Sequence, residues 1–116
     1  MAPKIDDYGF GYIVVDGVTY SRDLIILPNR LITNWWRREG HRIDLDDLRE
    51  VLDIDLEYLV IGTGYFSRVH VTDEVIKELK KRNVKLIITD SRHAWEKYNQ
   101  LVDENVRVGG AFHLTC

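Results

Sequence analysis

The sequence predicts a single α/β domain over residues 1–116, built on a mixed β-sheet. Its C-terminal half reads as a Rossmann-like βαβαβ unit and its N-terminal half as antiparallel strands. Three observations predict this. Residues 9–36 carry β-rich apolar runs broken by turn signals, residues 44–102 carry three capped segments of helical period, and strand-like runs lie between and after those helices.

The elements follow in order. Phe10, Tyr12 and Val14 alternate with Gly11, Ile13 and Val15, and Asp16-Gly17 then separates this run from Val18-Thr19-Tyr20. Asp-Gly between two such runs marks a hairpin, because a type I′ turn needs positive φ at both central residues. Leu24 to Leu27 forms a further strand that Pro28-Asn29 ends, and Arg30 to Trp36 forms another. Asp44 caps a helix with Leu45, Leu48, Val51 and Leu52 on one face. Thr72 caps a second, whose apolar face is Val75, Ile76 and Leu79 and whose C-terminal end carries Lys80, Lys81 and Arg82. Asp90 or Ser91 caps a third, with Ala94, Tyr98, Leu101 and Val102 inward. Strands run from Tyr58 to Ile61, Val84 to Thr89 and Val106 to Leu114. Right-handed crossovers make these three parallel by default, the direction of the last strand being left open, and the antiparallel strands either extend their sheet or pack as a second one.

The 116 residues, 45% hydrophobic and 30% charged with eight Gly and two Pro, suit one folded domain rather than a disordered chain. A formal net charge of -3 disfavours nucleic acid as the main partner. The single cysteine, Cys116, excludes an internal disulfide and a thiolate metal cluster. No signal peptide or membrane-length apolar run is present, which points to a cytoplasmic protein without membrane association. His41, His70, His93 and His113 show no ligand spacing, so no metal site is expected, and nothing calls for a cofactor.

In an open parallel sheet, ligands sit off the carboxyl ends of the strands. Gly62, Thr63 and Gly64 follow the first parallel strand, Asp90 and Ser91 the second, and His113 and Thr115 close the last. The helix beginning near Ser91 would aim free amides at that crevice, a modest anion site. Gly62-Thr63-Gly64 lacks the lysine of a P-loop, and the helix cap at Thr72 comes too late for a dinucleotide fingerprint, so a tight turn explains it better. His113 is the one plausible acid or base, but a hydrogen-bonded interior histidine is the plainer assignment. Strand parity sets His113 and Cys116 on opposite sides, which disfavours a Cys-His nucleophilic pair and leaves no catalytic residue assigned.

The unusual surface candidate is Trp35 to Arg42. Adjacent strand residues face opposite sides, so one tryptophan enters the core while the other looks outward. Residues 37–42 hold three Arg and one Glu, whereas residues 44–57 hold seven acids and only Arg49. An aromatic and arginine patch with Trp36, Arg37, Arg38 and His41 suits a protein interface.

VIGTG at Val60 to Gly64, Glu96-Lys97-Tyr98-Asn99 and VRVGGAFHLTC from Val106 to Cys116 resemble the adipogenesis-associated domain family. FGYIVVDGVTY and the Trp-Trp-Arg region match in the same order, so the resemblance covers nearly the whole chain. Related members include a mitochondrial assembly factor for respiratory complex I. The resemblance implies an α/β domain with strands added at its N-terminal side, action through protein association, and no reaction or cofactor to carry over. This chain departs in its adjacent Trp35 and Trp36, a shorter Gly40–His41 loop and no proline there. Two functions are expected: a non-catalytic protein-interaction or assembly module, recognising a partner or itself, or a binder or enzyme for a small anionic ligand at the strand ends.

Overall fold

The last strand of the chain lies in the middle of its main sheet. The computed structural model describes residues 2–116. It begins with an antiparallel sheet of β1 (Ile5–Gly9), β2 (Tyr12–Val15) and β3 (Val18–Tyr20). Asp16 and Gly17 both take positive φ, 51° and 81°, as the hairpin signal requires. β4 (Leu24–Leu27) and β5 (Arg30–Ile32) then pair as a hairpin of their own. After β6 (Arg42–Ile43), a 3-10 turn at Leu45–Leu48 runs into the one-turn helix α1 (Arg49–Leu52). β7 (Tyr58–Thr63), β8 (His70–Val71), α2 (Asp73–Lys81), β9 (Lys85–Thr89), α3 (Ser91–Asp103) and β10 (Val108–His113) complete the chain.

The five-stranded sheet runs β5-β4-β10-β7-β9. β10 and β7 are parallel from Val108↔Tyr58 to His113↔Thr63, and β9 is parallel to β7. β4 lies antiparallel against the other side of β10. The antiparallel half thus does both things open to it: β4 and β5 extend the parallel sheet, while β1–β3 form a second one. β6 and β8 make a further two-stranded parallel pair.

Two apolar layers flank the main sheet. On one face Val60, Val108 and Phe112 meet Ala94, Tyr98 and Leu101 of α3 and Ile5, Ile13 and Val15 of the second sheet. Tyr98 and Phe112 meet edge to face at 5.9 Å. On the other face Leu59, Ile61 and Ala111 meet Val75 and Leu79 of α2, with Trp35, Leu48 and Val51. Each fully buried aliphatic side chain contributes about 1.5–3 kcal/mol. The helix caps act as their residue types require: Thr72 accepts the Val75 amide and Asp90 the His93 amide.

Several boundaries differ from expectation. β1 was not expected, and Phe10 and Gly11 form the turn into β2 rather than strand, with Gly11 at φ 83°. The strand expected from Arg30 to Trp36 stops at Ile32, because Asn34 turns to φ 53° and the Trp35 amide bonds back to Asp23 O. The helix after Asp44 is half 3-10 in character. The last two parallel strands start later than their apolar runs, at Lys85 and Val108. Among the described residues, no helix is long and apolar enough to cross a membrane.

Candidate functional site

The parallel strands bring Gly62 to Gly64, Asp90, Ser91, His113 and Thr115 to one end of the sheet, where Gly64, Ser91 and the His113 carbonyl bond to one another. Ser91 is fully buried at the start of α3. Its Oγ accepts from the Gly64 amide at 2.9 Å and donates to the His113 carbonyl at 2.6 Å. The Ser91 amide donates in return to Gly64 O. A Cβ on Gly62 would lie 2.6 Å from Ser91 Oγ, so this glycine permits the close approach of α3. Gly64 sits at φ 105°, where a Cβ would meet Thr115 O at 2.5 Å. Thr63 Oγ1 bonds Ser67 Oγ and Thr89 O. Asp90 is half-buried and receives the ring of His93 at 2.7 Å. Burial opposes ionisation of Asp90, but its hydrogen bonds and charges from His93 outweigh that and hold its pKa below the usual carboxylate range.

The tail beyond β10 closes the crevice further. Tyr65 N donates to Thr115 O, and Arg68 N to Cys116 O. Cys116 is half-buried, and the contacts that hold this end of the chain run through its backbone rather than its thiol. Tyr8 donates its hydroxyl to Leu114 O, and burial pushes its pKa up to about 12.

His113 faces the other side of the sheet and enters an ionic cluster. Its Nδ1 lies 2.6 Å from Asp23 Oδ2 and 3.0 Å from Arg37 Nη2. One tautomer cannot both donate to the carboxylate and accept from the guanidinium. The shorter contact, to the carboxylate, places a proton on Nδ1. Arg37 Nη1 pairs with Asp23 Oδ2 at 2.7 Å, and Nη2 donates to Gly40 O. Leu114 N donates to Asp23 Oδ1. Burial would raise the Asp23 pKa, but the bonds from His113, Arg37 and Leu114 outweigh it and hold the carboxyl below its ordinary value. Two nitrogens in this cluster, His113 Nε2 and Arg37 Nε, are buried without a partner.

The sequence placed Arg37 on the exposed patch, and here the structure corrects it. Arg37 is 8% exposed, and its guanidinium lies 4.9 Å over the Trp35 ring. Its carboxylate partner comes from 14 residues earlier and its imidazole neighbour from 76 later, so no local pattern announced the burial. The tryptophans do divide, Trp35 at 7% exposed and Trp36 at 78%, but outside any strand, since β5 ends at Ile32. Trp35 Nε1 donates to Asp47 O, and Asp47 also takes the Arg38 and Asp44 amides. Trp36 therefore projects from a hook fastened on both sides. One flank is a cavity of about 350 Å³ lined by Asp23, Trp35, His113 and Thr115. The other, of about 370 Å³, is lined by Arg38, Asp46 and Arg49. Arg38 and His41 are exposed. Sequence reasoning missed Asp23 altogether, and also an exposed aromatic group in which Phe10 and Phe66 pack on Tyr65. No group of three or more His, Cys, Asp or Glu that could hold a metal occurs among the described residues.

Comparison with known proteins gives one family and a set of similar folds. The family described as "Protein of unknown function (DUF498/DUF598)" matches residues 5–113. A conserved hypothetical protein of Pyrococcus horikoshii OT3 is 24% identical, with 97% of this chain and 99% of that one covered at a TM-score of 0.77. A protein from Bordetella parapertussis is 26% identical over 96% of this chain and 94% of that one, TM-score 0.81. A Bordetella pertussis protein described as a Mth938-like domain is 22% identical over 97% and 85%, TM-score 0.71. These likenesses support the fold.

Proposed function

The chain belongs to the DUF498/DUF598 family, and from that premise we propose that it is a non-catalytic protein-interaction or assembly module docking a protein partner on the face around Trp36. One observation carries this. A tryptophan 78% exposed stands on a hook whose neighbours on both sides are buried and hydrogen-bonded. A large aromatic presented rigidly gains interface area with little ordering entropy, the property of a binding hot spot. Arg38 and His41 lie beside it for polar contacts, while Arg37 acts from inside by fixing the hook. The resemblance to a family with a complex I assembly factor supports an assembly role, and the single cysteine suits a cytoplasmic setting.

Affinity purification with native protein and Trp36→Ala, followed by reconstitution with the purified partner, tests the proposal. The expected result is a partner retained by the native chain and lost by a variant of unchanged melting temperature. Equal retention by both would overturn it.

Binding of a small anionic ligand at the strand ends is the second function with support. Its residues are Gly62, Thr63, Gly64, Asp90, Ser91, His113 and Thr115, and what supports it is their convergence at the carboxyl ends of the parallel strands β7, β9 and β10. A thermal-shift series with inorganic phosphate, nucleotides and small carboxylic acids decides it. A rise in melting temperature that His113→Ala abolishes supports the idea, and a flat series sinks it.

A further inference from the structure

The main sheet ends on an edge that nothing among the described residues guards. β9 pairs with β7 on one side, and among the described residues no strand pairs with its other side. Its register with β7 runs from Tyr58↔Lys85 to Gly62↔Thr89 without a bulge. Its sequence, Lys85-Leu86-Ile87-Ile88-Thr89, contains no proline and one charge, at its first residue. Protein edges are ordinarily blunted by prolines, bulges, inward charges or a covering element.

The edge is apolar on both faces. Ile88 is 40% exposed and Leu86 half-buried, with exposed Ile76 of α2 on the same side. A cavity of about 570 Å³ lies along it, lined by Ile76, Val84, Lys85 and Leu86. On the opposite face Ile87 and Trp95 are both half-buried in the layer beneath α3. Backbone direction follows from alternation. Lys85 N donates inward to Glu57 O, and Thr89 O accepts inward from Thr63 Oγ1. Leu86 and Ile88 therefore aim their N–H and C=O groups away from β7, unpaired.

We infer that this edge pairs with a second copy of the chain, β9 against β9, antiparallel about a two-fold axis through Ile87. The sequence of the strand supports that occupant over an unrelated strand, because it complements itself when reversed. In this register Leu86 faces Ile88 of the second copy, and the two exchange N–H···O bonds, as do Ile88 and Leu86. Ile87 meets Ile87 in a non-hydrogen-bonded position, where cross-strand side chains approach most closely. Lys85 comes opposite Thr89, next to Asp90, so the cationic end of each strand meets the anionic end of the other. The two five-stranded sheets join into one, and Ile76, Ile88 and Trp95 gain cover. The site lies at the opposite sheet edge from β5, after which Trp36 follows, so this pairing is independent of the docking face.

Sedimentation across a wide range of concentration and cysteine cross-linking test this together, with Cys116→Ser as background. Paired Cα atoms in a non-hydrogen-bonded position stand about 4.5 Å apart, within the range a disulfide accepts. Ile87→Cys in that background is expected to give a covalent dimer under mild oxidation. Ile88→Lys, at an exposed position that folding tolerates, is expected to weaken dimerisation about tenfold or more, and Trp36→Ala to leave it unchanged. A native chain that stays monomeric with no Ile87→Cys cross-link overturns the inference. So does a dimer indifferent to Ile88→Lys, and a dimer sensitive to it but without the cross-link overturns the register.

Discussion

The two faces of the sheet at the end of β10 solve different problems with the same strand. On the α3 face Ser91, Gly64 and the His113 carbonyl satisfy one another, so the crevice where a Rossmann-like sheet would hold a ligand is tied shut by neutral hydrogen bonds. On the opposite face the His113 side chain joins Asp23 and Arg37, an ionic cluster in which two buried nitrogens stay unpartnered. Neutral bonds cost little to bury and add rigidity. Charges are costly to bury and persist only while each partner remains. The difference teaches where to look for function: beside the incompletely satisfied cluster, which anchors the hook carrying Trp36, rather than in the closed crevice.

Substitutions that break one face and spare the other measure this contrast. The largest effect belongs to Asp23→Ala, which strands a buried guanidinium and frees three donors. It should destabilise the protein by about 3–5 kcal/mol in urea denaturation, and a further Arg37→Met should recover a substantial part. Ser91→Ala should cost less, about 1–3 kcal/mol, since it leaves the Gly64 amide and the His113 carbonyl unpaired but no charge. Equal losses at Asp23 and Ser91 would erase the distinction between the faces.

Acid sharpens the comparison further. Asp23 has a folded pKa below its unfolded value near 4, so its contribution is fully present above about pH 4 and is lost as pH falls through the folded pKa. Unfolding free energies measured between pH 7 and 2.5 should show an acid limb that shrinks in Asp23→Asn and persists in Ser91→Ala. The smallest effect is expected at Trp36→Ala, within about 0.5 kcal/mol of native, because that side chain is solvated. A larger loss would mean that Trp36 braces the hook and is not held in reserve for a partner.

Most of the parallel half was legible in the sequence because its helices are capped and regularly periodic, with Thr72 and Asp90 at their starts. β1 was not, because a bulge between Ile5 and Asp7 sets its inward residues, Ile5 and Tyr8, three apart and destroys the period of two. β6 and β8, two residues each, are too short to have a period. For the site, parity put His113 on the face of Ala111, whereas Trp35 and Trp36 divide outside any strand, where bonds to Asp23 O and Asp47 O hold Trp35 inward. Parity could not find the cluster, because Asp23, Arg37 and His113 converge from three distant segments. Arginine burial is a property of such a meeting and not of the local sequence.

The placement of β10 also bears on how the protein is made. β4 and β7 emerge early and never touch as neighbours, since the strand between them is synthesised after both. Until β10 arrives, the nascent chain holds two apolar sheet fragments, each with an open inner edge, and the pairings that unite them span most of the sequence. Such long-range closure slows folding and prolongs the exposure of sticky intermediates. The keystone is laid after both of the strands it joins, so completion of the main sheet awaits the synthesis of β10, and a nascent-chain chaperone would have its greatest effect in that interval.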